Sequence, residues 1–228
     1  MRRKPPPSTV ALLVRHGLTP TTGTEMPYPG PGPSLTEQGR RQVEDAGQHI
    51  LELRPSLPPI TALYSSPLTR TKETAAILGK ALDLAPLERV ALRDCEMGEW
   101  AGTPLKDLVK KPEWSTVLHY PSQFTFPGGE TLRGMQFRVV EAVSEVVAAH
   151  EGRTVVVVSH ADPIKAVLAE VMGIHLDLFQ RILVSPASVS AIAFRTGGPS
   201  VMFTNWVSSL PALSERQAKG PARPGTAR

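Results

Sequence analysis

The sequence predicts an α/β fold, a mostly parallel sheet covered by helices, and three observations carry that expectation. Strand-length apolar runs alternate with stretches of helical periodicity along the chain. Two of the runs, Leu12–Val14 and Val155–Val158, end in a histidine, at His16 and His160, where a buried strand opens into a loop. The length of 228 residues suits one α/β domain.

Thr9–Val14 reads as the first strand, with Pro5–Ser8 as a stiff lead-in, and Pro20–Ser34 is rich enough in Pro, Gly and Thr to be a loop. A helix follows over Thr36–Leu53, with Thr36 as N-cap and Val43, Ala46, Ile50 and Leu53 spaced at three and four. Pro55, Pro58 and Pro59 end it. Ile60–Tyr64 is a second strand and Leu68–Leu82 a second helix with Arg70 in its first turn. The middle is irregular: Leu92–Gly102 is short and mixed, and Thr103–Gly129 is an insertion with a helix fragment at Leu105–Lys110, readable as a cap over a pocket or as a surface excursion.

Thr131–His150 is the clearest helix, with Leu132, Met135, Val139, Val143, Val146 and Val147 on one face, and it feeds the strand Thr154–Val158. Asp162 and Pro163 then read as cap and first residue of a helix running to about Met172. Ser188–Phe194 and Val201–Thr204 form the last strands, a hairpin through Gly197, Gly198 and Pro199. The domain is expected over 9–213, after a flexible lead at 1–8 and before a disordered tail at 214–228 that lacks large apolar anchors.

Composition narrows the function classes. The net charge of +4 is concentrated in the termini: Arg2, Arg3, Lys4, Arg216, Lys219, Arg223 and Arg228 against Glu215 contribute +6, so the body carries −2 and has no basic stripe for nucleic acid. No apolar run approaches the roughly 18 to 20 residues needed to span a bilayer, and the basic start leads into a strand rather than a signal-peptide core. A cytoplasmic protein without membrane or nucleic-acid partners is expected. One cysteine, Cys95, excludes an intrachain disulfide framework and a clustered thiolate zinc site.

In open α/β sheets ligands bind beyond the carboxyl ends of the strands, where Arg15, His16, the segment Ser65–Arg70, Asp94 and His160 fall. Two arginine forks and two helix N-termini suit a phosphoryl group. A histidine can attack phosphorus if its other ring nitrogen is tied to an acceptor, which a turn at Gly17 would supply, and a carboxylic acid must protonate the departing oxygen. The scheme calls for no metal, and no HExxH, GxxxxGK or GxGxxG motif supports a metal or nucleotide cofactor.

At this point the sequence resembles the histidine phosphatase superfamily, which includes the cofactor-dependent phosphoglycerate mutases. The likeness runs from Thr9 to about Trp206: Arg15-His16-Gly17, the stretch YSSPLTRTKET holding Arg70, the stretch LRDCEMGEWAG holding Asp94, Pro127–Glu130, and Ser159-His160. The resemblance implies a three-layer α/β/α sandwich, phosphorylation of His16, and phosphate contacts from Arg15, Gly17, Thr22, Arg70, His160 and Ala161, with Glu130 as a rim contact. The family's usual proton-donor glutamate is Asp94 here, with Glu96 as an alternative that a strand-like stretch would aim the same way. Thr22 stands where members commonly have asparagine, and Ala161 where they often have glycine. The insertion is shorter than in the resembling mutases, which favours a phosphatase acting on a small phosphomonoester; mutase-type transfer and a phosphate-binding regulatory protein with little turnover are the alternatives. Apolar sheet edges in this architecture often make homodimers, although the sequence does not fix the oligomeric state.

Overall fold

The computed structural model describes residues 8–28 and 30–208, so the expected tail at 214–228 and all but Ser8 of the expected lead at 1–8 lie outside the described residues. Six strands form one sheet in the order β3-β2-β4-β1-β5-β6. They are β1 (Thr9–Arg15), β2 (Ile60–Ser65), β3 (Pro86–Glu88), β4 (Thr154–Ser159), β5 (Val189–Phe194) and β6 (Ser200–Trp206). β1, β2, β3 and β4 run parallel, while β5 pairs antiparallel with β1, and β6 with β5. The expected terminal hairpin is present. β3 was not anticipated: three exposed residues beginning with proline carry no strand periodicity, and only pairing with β2 makes them a strand.

Alternation of side chains across the two central strands builds both cores. Ala11, Leu13, Val155 and Val157 pack on one face with α5 (Leu132–Ala149) and α6 (Ala161–Met172). Val10, Leu12, Val14, Val156 and Val158 pack on the other with α1 (Glu37–Leu53) and α2 (Thr69–Leu82). Each buried valine of β4 contributes roughly 1.5–3 kcal/mol of transfer free energy, so this strand is anchored from both sides. The result is the expected three-layer sandwich. Among the described residues no helix is long and apolar enough to cross a membrane.

Local signals fix the helix ends. Thr36 accepts from the Gly39 amide at 2.9 Å and caps α1, and Thr131 does the same for α5 from Gly134 at 2.8 Å. α6 differs from expectation: it starts at Ala161, with His160 at the cap position and no side-chain cap bond. The Ile164 amide already bonds the His160 carbonyl, so Pro163 sits in the first turn, where its missing N–H costs no helical bond. Asp162 is held by Lys165 at 3.1 Å instead of capping. The insertion holds α3 (Leu105–Leu108) and a second short helix, α4 (Trp114–His119), which proline-rich sequence around it had masked.

The loop leaving β1 is seated on the first turn of α1. The Thr36 amide bonds the Leu18 carbonyl at 2.9 Å, and the Leu18 amide bonds Gln42 at 3.2 Å. A Cβ on Gly17 would lie 2.5 Å from the Gly39 carbonyl oxygen, and one on Gly39 would strike the Leu18 carbonyl. Two glycines therefore let backbone meet backbone where the chain turns out of the sheet. Gly39→Ala is expected to destabilise by about 1–3 kcal/mol through forced separation of loop and helix, read as a thermal midpoint several degrees lower; an unchanged midpoint would show that the contact is slack.

Candidate active site

The site begins with strand register. β1 and β4 pair with Arg15 opposite Ser159, and the His16 amide bonds the Ser159 carbonyl at 3.1 Å. Each strand's next residue is a histidine, so the two rings come side by side with centroids 5.3 Å apart. β2 pairs with β4 through Ser65 and Val158, which sets Ser66 beside the same strand end. α2 then brings in Arg70 from its second residue.

A cavity of about 180 Å³ opens over these ends, and its wall includes Arg15, His16, Thr22, Arg70, Asp94 and Ala161. The other expected residues sit around it. His160 is fully buried beneath the wall, next to His16. Gly17 forms the turn below, donating its amide to Thr74 Oγ1 at 3.2 Å. Thr22 Oγ1 accepts from the Thr19 amide at 3.0 Å and so ties the loop over the cavity.

Asp94 and Glu96 do not share a face. Their segment bends rather than forming a strand: the Asp94 carboxylate turns inward, 3.1 Å from Arg70, whereas Glu96 pairs with Arg93 at 2.8 Å and stays half exposed, off the cavity wall. Glu130 also lies off the wall and pairs with Arg138. That arginine, invisible to pattern reading on a helix face, saturates its guanidinium around the acid. Arg138 Nε and Nη2 donate to Glu130 at 2.9 and 2.7 Å, Nη1 to the carbonyls of Ala91 and Arg93 at 2.8 and 3.0 Å, and Nη2 to that of Asp94 at 3.3 Å. All five N–H groups are used, and they grip the backbone that carries Asp94.

Proton positions follow from the partners. His16 Nδ1 lies 2.8 Å from the Gly17 carbonyl, an acceptor only, so Nδ1 carries the proton and Nε2 keeps its lone pair. Ser66 Oγ lies 2.8 Å from His160 Nε2. That nitrogen is the one partner of Ser66 Oγ among the described residues, so a buried hydroxyl that keeps its proton bonded donates to it, which puts the His160 proton on Nδ1, 3.6 Å from the nearer Asp94 oxygen and otherwise unpartnered among the described residues. Arg15 anchors Nη1 on the Val184 carbonyl at 2.8 Å and has its buried Nε unpartnered. Unpaired buried donors beside one cavity are costly unless an anion binds there.

Burial and the neighbouring guanidiniums of Arg15 and Arg70 hold both imidazoles well below the ordinary histidine value, so both are neutral near pH 7. Burial raises the Asp94 carboxyl above the usual carboxylate range, against the pull of Arg70, and Asp162 adds to the rise. The Cys95 thiol beside it is pushed up by burial and by Glu130, which keeps it from acting as a nucleophile. Among the described residues no group of three or more His, Cys, Asp or Glu side chains is arranged to hold a metal ion.

Known proteins share both sequence and shape with this chain. The family model of the histidine phosphatase superfamily, branch 1, matches residues 11–207. Phosphoserine phosphatase 1 of Hydrogenobacter thermophilus is 32% identical over 162 residues, 70% of this chain and 74% of that protein. The bifunctional protein Rv2228c of Mycobacterium tuberculosis is 32% identical over 194 residues, 84% of this chain and 52% of the relative, so the chain spans about half of its length. The structure of Bacillus stearothermophilus YhfR superposes with a TM-score of 0.79 at 27% identity, covering 88% of this chain and 98% of that one.

Nitrogen NMR should find both His16 and His160 neutral at pH 6 and protonated on Nδ1, where a free imidazole is mostly cationic. Ser66→Ala is expected to shift the His160 signals toward mixed tautomers and leave those of His16 in place; an unmoved His160 pattern would exclude the serine as the proton's director.

Proposed function

The chain belongs to the histidine phosphatase superfamily, branch 1, and we propose that it hydrolyses small phosphomonoesters without a metal ion, through a phosphohistidine on His16. One observation carries the reading. His16 Nδ1 is tied to the Gly17 carbonyl, which leaves a neutral Nε2 on a cavity wall shared with Arg15, Arg70 and Asp94.

In the first step His16 Nε2 attacks phosphorus as the ester P–O bond breaks, and the Asp94 carboxyl proton passes to the departing alkoxide. Arg15 and Arg70 neutralise the equatorial oxygens, and the Nδ1–H of His160 donates to one of them. Binding of a phosphate dianion draws Arg70 away from Asp94, which favours the protonated acid at the moment it is needed. In the second step water attacks the phosphohistidine, Asp94 takes its proton, and the P–N bond breaks to return the Nε2 lone pair. Thr22 and Ala161 shape the phosphate loop, and Gly17 supplies the carbonyl that orients the nucleophile. Glu130 acts through Arg138, and Glu96, paired with Arg93 off the cavity wall, takes no part.

Hydrolysis needs water at the phosphoryl group, whereas mutase-type transfer must exclude it. Of the insertion 103–129, only Leu105 reaches the cavity wall, and this thin cover supports a hydrolase. The phosphoserine phosphatase among the relatives supports the same class of substrate.

With chelator present, the protein should release inorganic phosphate from phosphomonoesters and show a transient gain of one phosphoryl group on acid quench. His16→Ala should lose both, with turnover down by about a thousandfold or more; retained turnover would exclude the covalent route.

The first step needs neutral His16 and protonated Asp94. His16 titrates below the ordinary histidine value, so the acid limb of kcat/KM falls lower than an unperturbed imidazole would give. Burial raises the Asp94 carboxyl, so activity declines as pH rises through its titration, and this alkaline limb lies higher than an ordinary carboxylate would place it. Asp94→Asn should abolish the alkaline limb of kcat/KM and lower kcat/KM for alkyl phosphates by about 10²–10⁴-fold while sparing kcat/KM for aryl phosphates, whose leaving groups need less protonation; kcat falls for both because water attack loses its base. Equal losses of kcat/KM on both esters would argue against a proton-donor role.

A further inference from the structure

Beyond the phosphate cradle the cavity has a second character. Its cationic residues, Arg15 and Arg70, both belong to the cradle, where a phosphomonoester dianion engages them. The rest of the wall carries Glu25 and Asp162 together with Met26, Tyr28, Met97 and Leu105. Asp162 is compensated by Lys165 at 3.1 Å. Glu25 has no ion-pair partner among the described residues.

The segment bearing Glu25 is held in place rather than loosely draped. Its amide bonds the Thr21 carbonyl at 3.2 Å, the Met26 amide bonds the Thr103 carbonyl at 3.0 Å, and the Leu105 amide bonds the Thr24 carbonyl at 2.8 Å. Glu25 pairs with Pro104 as a short antiparallel bridge. Met26 and Met97 are buried behind it, and the Tyr28 ring lies against Gly102, where a side chain would collide with it. A carboxylate carried on a fixed backbone thus lines the cavity beyond the phosphate cradle, where the alcohol part of a bound ester extends, on a wall that mixes threonines with apolar side chains.

We propose that this outer wall selects phosphomonoesters whose organic part bears no second anionic group, favouring neutral or ammonium-bearing alcohols, with Glu25 as the specificity-determining residue. The inference rests on the hydrolase reading given above. A carboxylate or second phosphate on the substrate meets Glu25 in a partly desolvated space where like charges are poorly screened, and no cation of the wall remains to receive it. An ammonium group gains the same interaction with opposite sign, and the methionines and Leu105 accept an apolar chain or ring.

Three aryl esters with closely similar leaving groups isolate the charge: 4-methylphenyl, 4-(carboxymethyl)phenyl and 4-(aminomethyl)phenyl phosphate. At low salt kcat/KM for the carboxymethyl ester is expected at least about tenfold below the methyl ester, with the aminomethyl ester equal to it or better. The ratio is taken within each protein, so a loss of folded enzyme cancels. Glu25→Gln should bring the carboxymethyl-to-methyl ratio to within about threefold of unity, and Glu25→Lys should invert it. Equal values for the three esters in the wild type, or ratios unmoved in both variants, overturn the selection while leaving the hydrolase intact. If no ester is hydrolysed, the hydrolase reading fails instead, and the ranking is read from titration of the same esters into His16→Ala protein. Weaker binding of the carboxymethyl ester there supports the selection, and equal affinities overturn it.

Discussion

The register of β1 against β4 is the constraint on which the rest of the site depends. Parallel pairing of Arg15 with Ser159 makes both strands end at one level, so the residues that follow emerge together. A slip by one residue would move every side chain of a strand to the opposite face, sending Leu12 and Leu13 into each other's cores and separating His16 from His160. Four consecutive buried valines suit either face, so β4 is pinned at its ends, where Thr154 Oγ1 donates to the Pro58 carbonyl and Ser159 Oγ to the Leu92 carbonyl, each at 2.7 Å. Polar anchors at both ends of a buried apolar strand thereby fix the 5.3 Å separation of the rings.

That placement obliges the protein to bury several polar groups in one small volume. Arg70, His16 and His160 are nearly or fully inaccessible, and the Asp94 carboxylate is held against Arg70. Two adjacent guanidiniums and low solvation make a charged imidazole unfavourable, so the rings stay neutral. The same desolvation favours the protonated form of Asp94. One environment thus prepares a lone pair and an acidic proton, opposite requirements for groups that share it. The carboxylate is also positioned mechanically, because Arg138 holds the carbonyls of Ala91, Arg93 and Asp94 while Glu130 holds Arg138. Glu130 acts on the site at one remove, through the backbone of the acid.

Much of this was legible in the chain. Periodicity located β1, α1, β2, α2, α5, β4 and the β5–β6 hairpin because each has enough buried residues at regular spacing to outweigh local noise. It failed at β3, whose three exposed residues are a strand only through their neighbour, and at α4, where surrounding prolines hide a short helix. The cap of α6 was misplaced because Asp-Pro is a strong N-terminal signal, yet the carbonyl of His160 already accepts the first helical bond. Strand alternation would put Asp94 and Glu96 on one face, and the bent backbone separates them. Ser66 follows its strand as His16 and His160 follow theirs, and that parallel was the signal available for finding it.

The sequence by itself determined the layered α/β fold, the two strand-end histidines, the two arginines and the acid segment, because these depend on residue type and on spacing along one chain. Only the tertiary structure decided which carboxylate turns inward, which ring nitrogen holds each proton, and that Arg138 and Glu130 clamp the acid. Those features depend on distances between side chains far apart in sequence, such as Ser66 with His160 and Arg138 with Asp94. They are set by packing in three dimensions, to which no local pattern in the chain is sensitive.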